Sequence, residues 1–224
     1  SRRIWDYAFH FGSLTATFMQ GVVLGAVVQG ISVEGRRYAG GAFEWVDAYS
    51  IMVGVALVFG YALLGSTWLV MKTDGETQLW ARRSASYVLG YVGLFIAVVS
   101  ISMPVMDATV RALWFSLPNF FYLLPVPFLT GLFFVIIWID LHRGREIRPF
   151  ILSIGVFFLS YMGLAISLWP WIVPTAVTFR EAAAAPESQS LLLIGTVFLL
   201  PMVLGYTAYC YYLFRGKATH ETAY

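Results

Sequence analysis

Haem ligation, metal capture and thiol chemistry are the reactions for which this sequence holds residues of the right type, and spacing decides how far each can go. His10 is the one histidine inside an apolar run, and Met19, Met52, Met71, Met103, Met106, Met162 and Met202 supply thioethers. A haem iron takes axial ligands that converge from facing helices. His142 and His220 instead fall in the fourth loop and the C-terminal tail, and the methionines are scattered without an obvious partner for His10. The pattern predicts no haem-ligand pair in this chain; the other reading of His10 is a helix-end imidazole bonded to a neighbour or to water. Cys210 is the single cysteine, so an internal disulfide or a cysteine-rich metal site is excluded and a buried structural thiol remains.

The elements that hold these residues follow from composition. Hydrophobic residues make up 59% of the 224 and charged ones 12%, and the mean hydropathy is +0.76. That is an all-α integral membrane protein, a single transmembrane domain over 1–224. The net charge of +2 is small and its basic residues sit between apolar runs, which argues against a nucleic-acid partner and for membrane lipid. Six charge-free windows are long enough to cross a bilayer and predict helices at about 9–31, 48–71, 86–106, 119–140, 150–171 and 190–213. None of the windows holds Asp, Glu, Lys or Arg, so the chain alone makes a poor pump or ion-coupled transporter.

Lys and Arg number ten in the N-terminus, second loop, fourth loop and C-terminus against four in the other loops, which predicts that both termini are cytoplasmic. The longest outer loop, 173–189, carries Arg180 followed by Glu181 and four alanines, a pattern suited to a short interfacial helix stopped by Pro186. The opening Ser1-Arg2-Arg3, without methionine, reads as a truncated or processed start.

Small residues mark the helix contacts. In the second helix Gly54, Tyr61, Gly65, Trp68 and Lys72 fall on one stripe, and the chain then turns at Asp74-Gly75 before the basic pair Arg82-Arg83. In the first, Gly21 and Gly25 form a GxxxG pair, His10, Thr17 and Gly21 share a face, and Gln20 and Gln29 need partners. Pro125, Pro127 and Pro201 should bend their helices; such bends either shape packing or open a ligand cavity.

Four ordered stretches carry a resemblance. They are Arg3-Ile4-Trp5-Asp6 with Gly12-Ser13 and Gln20-Gly21 to Gln29-Gly30; Trp68 through Lys72-Thr73 to Gly75-Glu76 and Ala81; Trp169-Pro170 through Pro174 to Thr178, Glu181-Ala182-Ala183 and Ser188; and Pro201 with Tyr206-Thr207-Ala208 to Phe214-Arg215-Gly216-Lys217. Together they resemble subunit II of the cytochrome bd family of quinol oxidases, and the glutamine–glycine style of the first helix looks closer to its cyanide-insensitive branch. The family's two earlier helices have no counterpart here. The resemblance therefore implies the C-terminal six of eight helices, half of one four-helix bundle and all of a second.

It further implies a haem-free subunit of a bacterial inner-membrane respiratory oxidase. Haems b and d would reside in subunit I, which oxidises quinol and reduces oxygen to water with cytoplasmic protons. Subunit II would pack against it, support haem incorporation and hold a quinone such as ubiquinone, with room for a small accessory subunit. On that reading Arg3 and Asp6 form a candidate cytoplasmic pair, and Trp45 with Asp47 a candidate outer interface; helix capping and interfacial anchoring account for the same residues equally well. The rival from another class is a non-enzymatic permease or membrane scaffold built from the same six helices.

Overall fold

The computed structural model describes residues 2–35 and 37–217. His220 and the tail around it lie outside the described residues. In chain order the elements are α1 (Arg2–Gln29), β1 (Val33–Glu34), β2 (Arg37–Tyr38), α2 (Ala48–Lys72), α3 (Gly75–Met106), α4 (Ala108–Phe115), α5 (Asn119–Leu123), α6 (Pro125–His142), α7 (Arg148–Leu168), β3 (Trp171–Val173), β4 (Val177–Thr178) and α8 (Pro186–Leu213). Among the described residues, six helical spans are long and apolar enough to cross a membrane: α1, α2, α3, the α5–α6 segment Asn119–His142, α7 and α8. The two hairpins, β1 with β2 and β3 with β4, are antiparallel and sit in the first and fifth loops.

The third helix begins well before the expected position near 86. Its 32 residues start at Gly75, directly after the Asp74 turn, so Glu76, Arg82 and Arg83 are helical. At 1.5 Å per residue that is about 48 Å, against a hydrocarbon core of about 30 Å, and the surplus projects into the aqueous boundary. Hydropathy marks what lipid covers, and a helix continues past that limit where its backbone has no reason to stop. Likewise α1 is helical from Arg2.

Two further expectations are corrected. Pro125 occupies the first turn of α6, where its missing N–H has no helical partner to lose, so it starts a helix rather than bending one. Residues 173–185 of that loop contain no helix. The Thr178 amide and hydroxyl donate to Glu181 Oε2 at 2.8 and 2.9 Å, and the Phe179 amide donates to Pro170 O at 3.0 Å, fixing a hairpin and turn. A run of alanines offers too little apolar surface to outweigh those bonds. Pro186, expected to end a helix, opens α8 instead.

One apolar cluster organises the centre: Leu63 and Val70 of α2, Ala81, Ala85, Leu89 and Val92 of α3, Ile137 and Leu141 of α6, and Val156 of α7. The two alanines let α3 come close to its neighbours. Helix α1 lies along α2 at a contact made of glycine. A Cβ added at Gly21 would sit 2.6 Å from Val53 O and 2.7 Å from Gly54 Cα, and one at Gly25 would sit 2.7 Å from Ser50 Cα. Helix α8 meets the others at its C-terminal end and has no buried residue. There the Tyr211 ring lies 5.7 Å from Trp68, and Lys72 Nζ donates to Phe214 O at 2.8 Å and Gly216 O at 3.3 Å.

Candidate functional site

A cavity of about 1110 Å³ lies between α3, α4, α6 and α7. Its walls are apolar, with Phe95, Ile96, Phe134 and Leu164 among them. Phe115, Val135 and Trp138 at its rim are 63%, 54% and 54% exposed, so it opens on the lateral surface of the helices. Polar handles are few. Ser160 Oγ is buried and makes no hydrogen bond. Trp114 Nε1 donates to Ser167 Oγ at 2.8 Å. Pro104, inside α3, has no N–H to give Ser100 O, the acceptor one turn back in the cavity wall. An apolar container with a few unpaired polar groups suits a lipid-soluble ring bearing hydrogen-bond acceptors or donors. Of the prolines singled out from sequence, Pro127 lines this space; Pro104, which was passed over, lines it too.

Below the cavity, where α6 ends, the chain builds a charged cap. Gly144 takes φ +78°, and the Arg145 amide reaches back to Asp140 O at 3.0 Å, the bond that closes a glycine-terminated helix. That turn brings Arg145 Nε to 3.4 Å from Asp140 Oδ1, while Arg148, the first residue of α7, sets Nε 3.2 Å from Oδ2. Asp140 is only 2% exposed, so its charge requires these partners. Arg82 of α3 donates to the carbonyls of Leu141, Arg145 and Gly144 at 3.0, 3.1 and 3.3 Å, capping the negative end of α6. Glu146 accepts from Gln78 Nε2 at 3.0 Å and pairs with Lys217 Nζ at 2.8 Å. Lys217 foremost, and Gln78 after it, hold the Glu146 carboxyl below its ordinary range. In the sequence Asp140 served only to close a window and the arginines only to count charge. The glycine after a basic helix end was the available signal.

At the opposite face Asp47 caps α2, accepting from the Tyr49 amide at 2.8 Å. It also accepts from Gln29 Nε2 at 2.8 Å, and Ser50 Oγ donates to Gln29 Oε1 at 3.1 Å. The Tyr49 amide, then Gln29, keep the Asp47 carboxyl low. The neighbouring loop is closed by Glu44, whose Oε1 accepts from the Ser32 hydroxyl and from the Ser32 amide at 3.1 Å. Ser32, with Tyr38 adding, lowers the Glu44 carboxyl in the same way. Trp45 donates Nε1 to Ala42 O at 2.9 Å and does not touch Asp47 through that bond. Gln29 thus finds the partners its place in α1 demands.

The remaining sequence candidates separate. Arg3 and Asp6 are both exposed on the first turns of α1, and among the described residues the ion pairs are those of Asp140 and Glu146, not one between these two. His10 Nδ1 lies 2.6 Å from Asp6 O, one turn back on its own helix. Among the described residues no three His, Cys, Asp or Glu side chains converge on a metal-sized point. The Gly54–Lys72 stripe changes neighbour along its length. Gly54 packs under the Phe18 ring of α1, Tyr61 donates to Gln20 Oε1 at 3.4 Å and stacks near Phe157 of α7, and Trp68 meets Phe150 of α7 and Tyr211 of α8. Gly65 falls between these contacts: within the described chain a Cβ there meets nothing within 4 Å.

A family model described as "Cytochrome bd terminal oxidase subunit II" matches residues 1–214. The chain is 23% identical over 229 residues to the cytochrome bd ubiquinol oxidase subunit 2 of Bacillus subtilis (strain 168), covering 98% of this chain and 65% of that protein. It is 22% identical over 254 residues to the cytochrome bd-I ubiquinol oxidase subunit 2 of Escherichia coli (strain K12), covering 98% and 67%. The chain spans about two thirds of the length of these relatives.

Proposed function

We propose that this chain, which belongs to the cytochrome bd terminal oxidase subunit II family, serves as the haem-free subunit of a quinol oxidase, supporting a haem-bearing subunit I that oxidises quinol and reduces oxygen to water. The observation that carries this reading is the family match over residues 1–214. The residues agree with the division of labour. His10 points a ring nitrogen at its own helix backbone, and among the described residues no group of three His, Cys, Asp or Glu side chains converges, so the donor set does not fit a haem. Haems b and d are accordingly assigned to the partner. The complex would lie in a bacterial inner membrane with both termini of this chain cytoplasmic, as the basic-residue bias favours.

A quinone fits the lateral cavity by size and chemistry. Its ring and isoprenoid tail would be covered by Phe95, Ile96 and Phe134, and the Ser160 hydroxyl would donate to a ring carbonyl. Ubiquinone is the quinone named for the relatives. Its role here is that of a bound lipid, with the redox chemistry assigned to subunit I.

The test is isolation of the tagged chain from its native membrane. We expect a larger haem-bearing subunit to accompany it, with quinol-dependent oxygen uptake, whereas the chain expressed alone shows no Soret band. His10→Ala should keep every haem band. Loss of one specific haem signal would assign a ligand to this chain, and native isolation without any haem protein would favour a permease or scaffold.

A further inference from the structure

The cap at the end of α6 holds more positive charge than it neutralises. Arg145 and Arg148 share one carboxylate, that of Asp140, each through Nε. Their side chains are 48% and 50% exposed, and neither guanidinium donates a side-chain hydrogen bond elsewhere in the described chain. The outer Nη edges of both are therefore free to meet a ligand. Arg82 adds a third guanidinium nearby: its donors are committed to the carbonyls of Leu141, Gly144 and Arg145, and its charge acts on Glu146. That commitment has another effect, which is to hold the turn rigid beneath the two arginines.

A second, independent feature begins at the same level. Along α7, Ile147, Ile151, Ile154 and Phe158 are 61%, 56%, 46% and 61% exposed. Spaced four, three and four apart, they form one apolar stripe running from the charged cap toward the bilayer centre. The buried face of α7, marked by Pro149, Ser153 and Val156, lies opposite. At 100° per residue Arg148 sits about 60° from Ile151, on the flank of the stripe, within reach of a long side chain that keeps its head at the interface.

Paired guanidiniums with free donor edges recognise a phosphodiester, and the apolar track below them matches an acyl chain. We propose that Arg145 and Arg148, pre-set on Asp140, bind the headgroup phosphate of an anionic phospholipid whose acyl chain lies along Ile147, Ile151, Ile154 and Phe158. The net charge of the lipid balances the uncompensated guanidinium. A zwitterionic lipid brings its own cation and gains less.

The experiment uses the protein purified with its native partners, delipidated in neutral detergent and offered phosphatidylglycerol, phosphatidylcholine or inorganic phosphate. Bound lipid is counted by native mass spectrometry and stability is followed by thermal unfolding. With about fivefold per basic residue at an anionic headgroup, phosphatidylglycerol should be retained about 25-fold more than phosphatidylcholine. Arg145→Gln with Arg148→Gln should abolish that preference, while Arg37→Gln on the opposite face keeps it. If the double variant does not fold, Arg148→Gln alone should cut the preference about fivefold, since Arg145 still serves Asp140. Equal retention of both lipids by the unaltered protein, or a preference that survives loss of the arginines, would overturn the proposal. Stabilisation by inorganic phosphate equal to that by phosphatidylglycerol would assign a free-anion site and overturn the lipid.

Discussion

Substituting Gly21 by alanine tests the contact between α1 and α2 more sharply than any other single change. The new methyl carbon would lie 2.6 Å from Val53 O, 2.7 Å from Gly54 Cα and 3.0 Å from Gly54 N. All three are backbone atoms of α2, so no side chain can rotate away, and ordinary contact near 3.5 Å requires the helices to part by nearly an ångström. Parting them also opens the Gly25–Ser50 and Gly54–Phe18 approaches, which are equally close. Overpacking of this kind costs about 1–3 kcal/mol, offset by the better helix propensity of alanine, about 1 kcal/mol in water. The net loss is then up to about 2 kcal/mol, which corresponds to as much as about a 30-fold change in the folded fraction at the transition. Gly65→Ala is the internal control. Its methyl group meets nothing within 4 Å, so only the propensity gain remains. Thermal unfolding in detergent, followed by aggregation-resistant fluorescence of the tagged protein, should rank Gly21→Ala below the unaltered chain and Gly65→Ala at or above it. Equal midpoints for the two variants would refute the claim that backbone approach, rather than glycine content, holds α1 in place.

Asp47→Ala should cost about 1–2 kcal/mol through loss of the α2 cap, and Gln29→Ala, which leaves the cap but removes the cross-helix bond, should cost less; denaturation midpoints rank them. The Glu146–Lys217 pair should respond to acid: because the Glu146 carboxyl is held below the 4.5 of an unperturbed group, its contribution is present above that value and is lost as the pH falls through the lowered one. Proteolysis of the C-terminal segment should therefore accelerate at low pH in the unaltered protein, whereas Glu146→Gln should be fast throughout and show no such step. A cytoplasm-dependent reporter fused after Tyr224 should be active; activity of a periplasm-dependent reporter there would reverse the orientation.

The membrane helices were legible because each covers a bilayer's worth of apolar residues, and the GxxxG pair of α1 announced its contact through size alone. Gly65 shows the limit of that inference. Its place on a helix stripe is fixed by periodicity, but what stands opposite depends on which of three helices α2 is passing at that height. Asp140 was missed for a related reason. A carboxylate at the edge of an apolar window reads as a boundary marker, and only the turn at Gly144 brings two arginines back over it. Pro104 lies inside α3 with no turn residue beside it to mark it in the sequence, whereas Pro125 and Pro186 simply begin α6 and α8. The 173–189 loop misled through alanine, whose helix propensity is real but acts only where side-chain bonds such as those of Thr178 and Glu181 do not compete.

The way α8 is held has a mechanical consequence. Among the described residues, the side-chain bonds and ring contacts that join it to the other helices involve Tyr211, Phe214, Gly216 and Lys217, in or beyond its last turns. From Leu191 to Leu204 its large apolar side chains are exposed. A rigid rod of 28 residues fixed near one end is a lever. A small tilt at Trp68 and Lys72 becomes a much larger displacement of its N-terminal end and of the fifth loop joined to it.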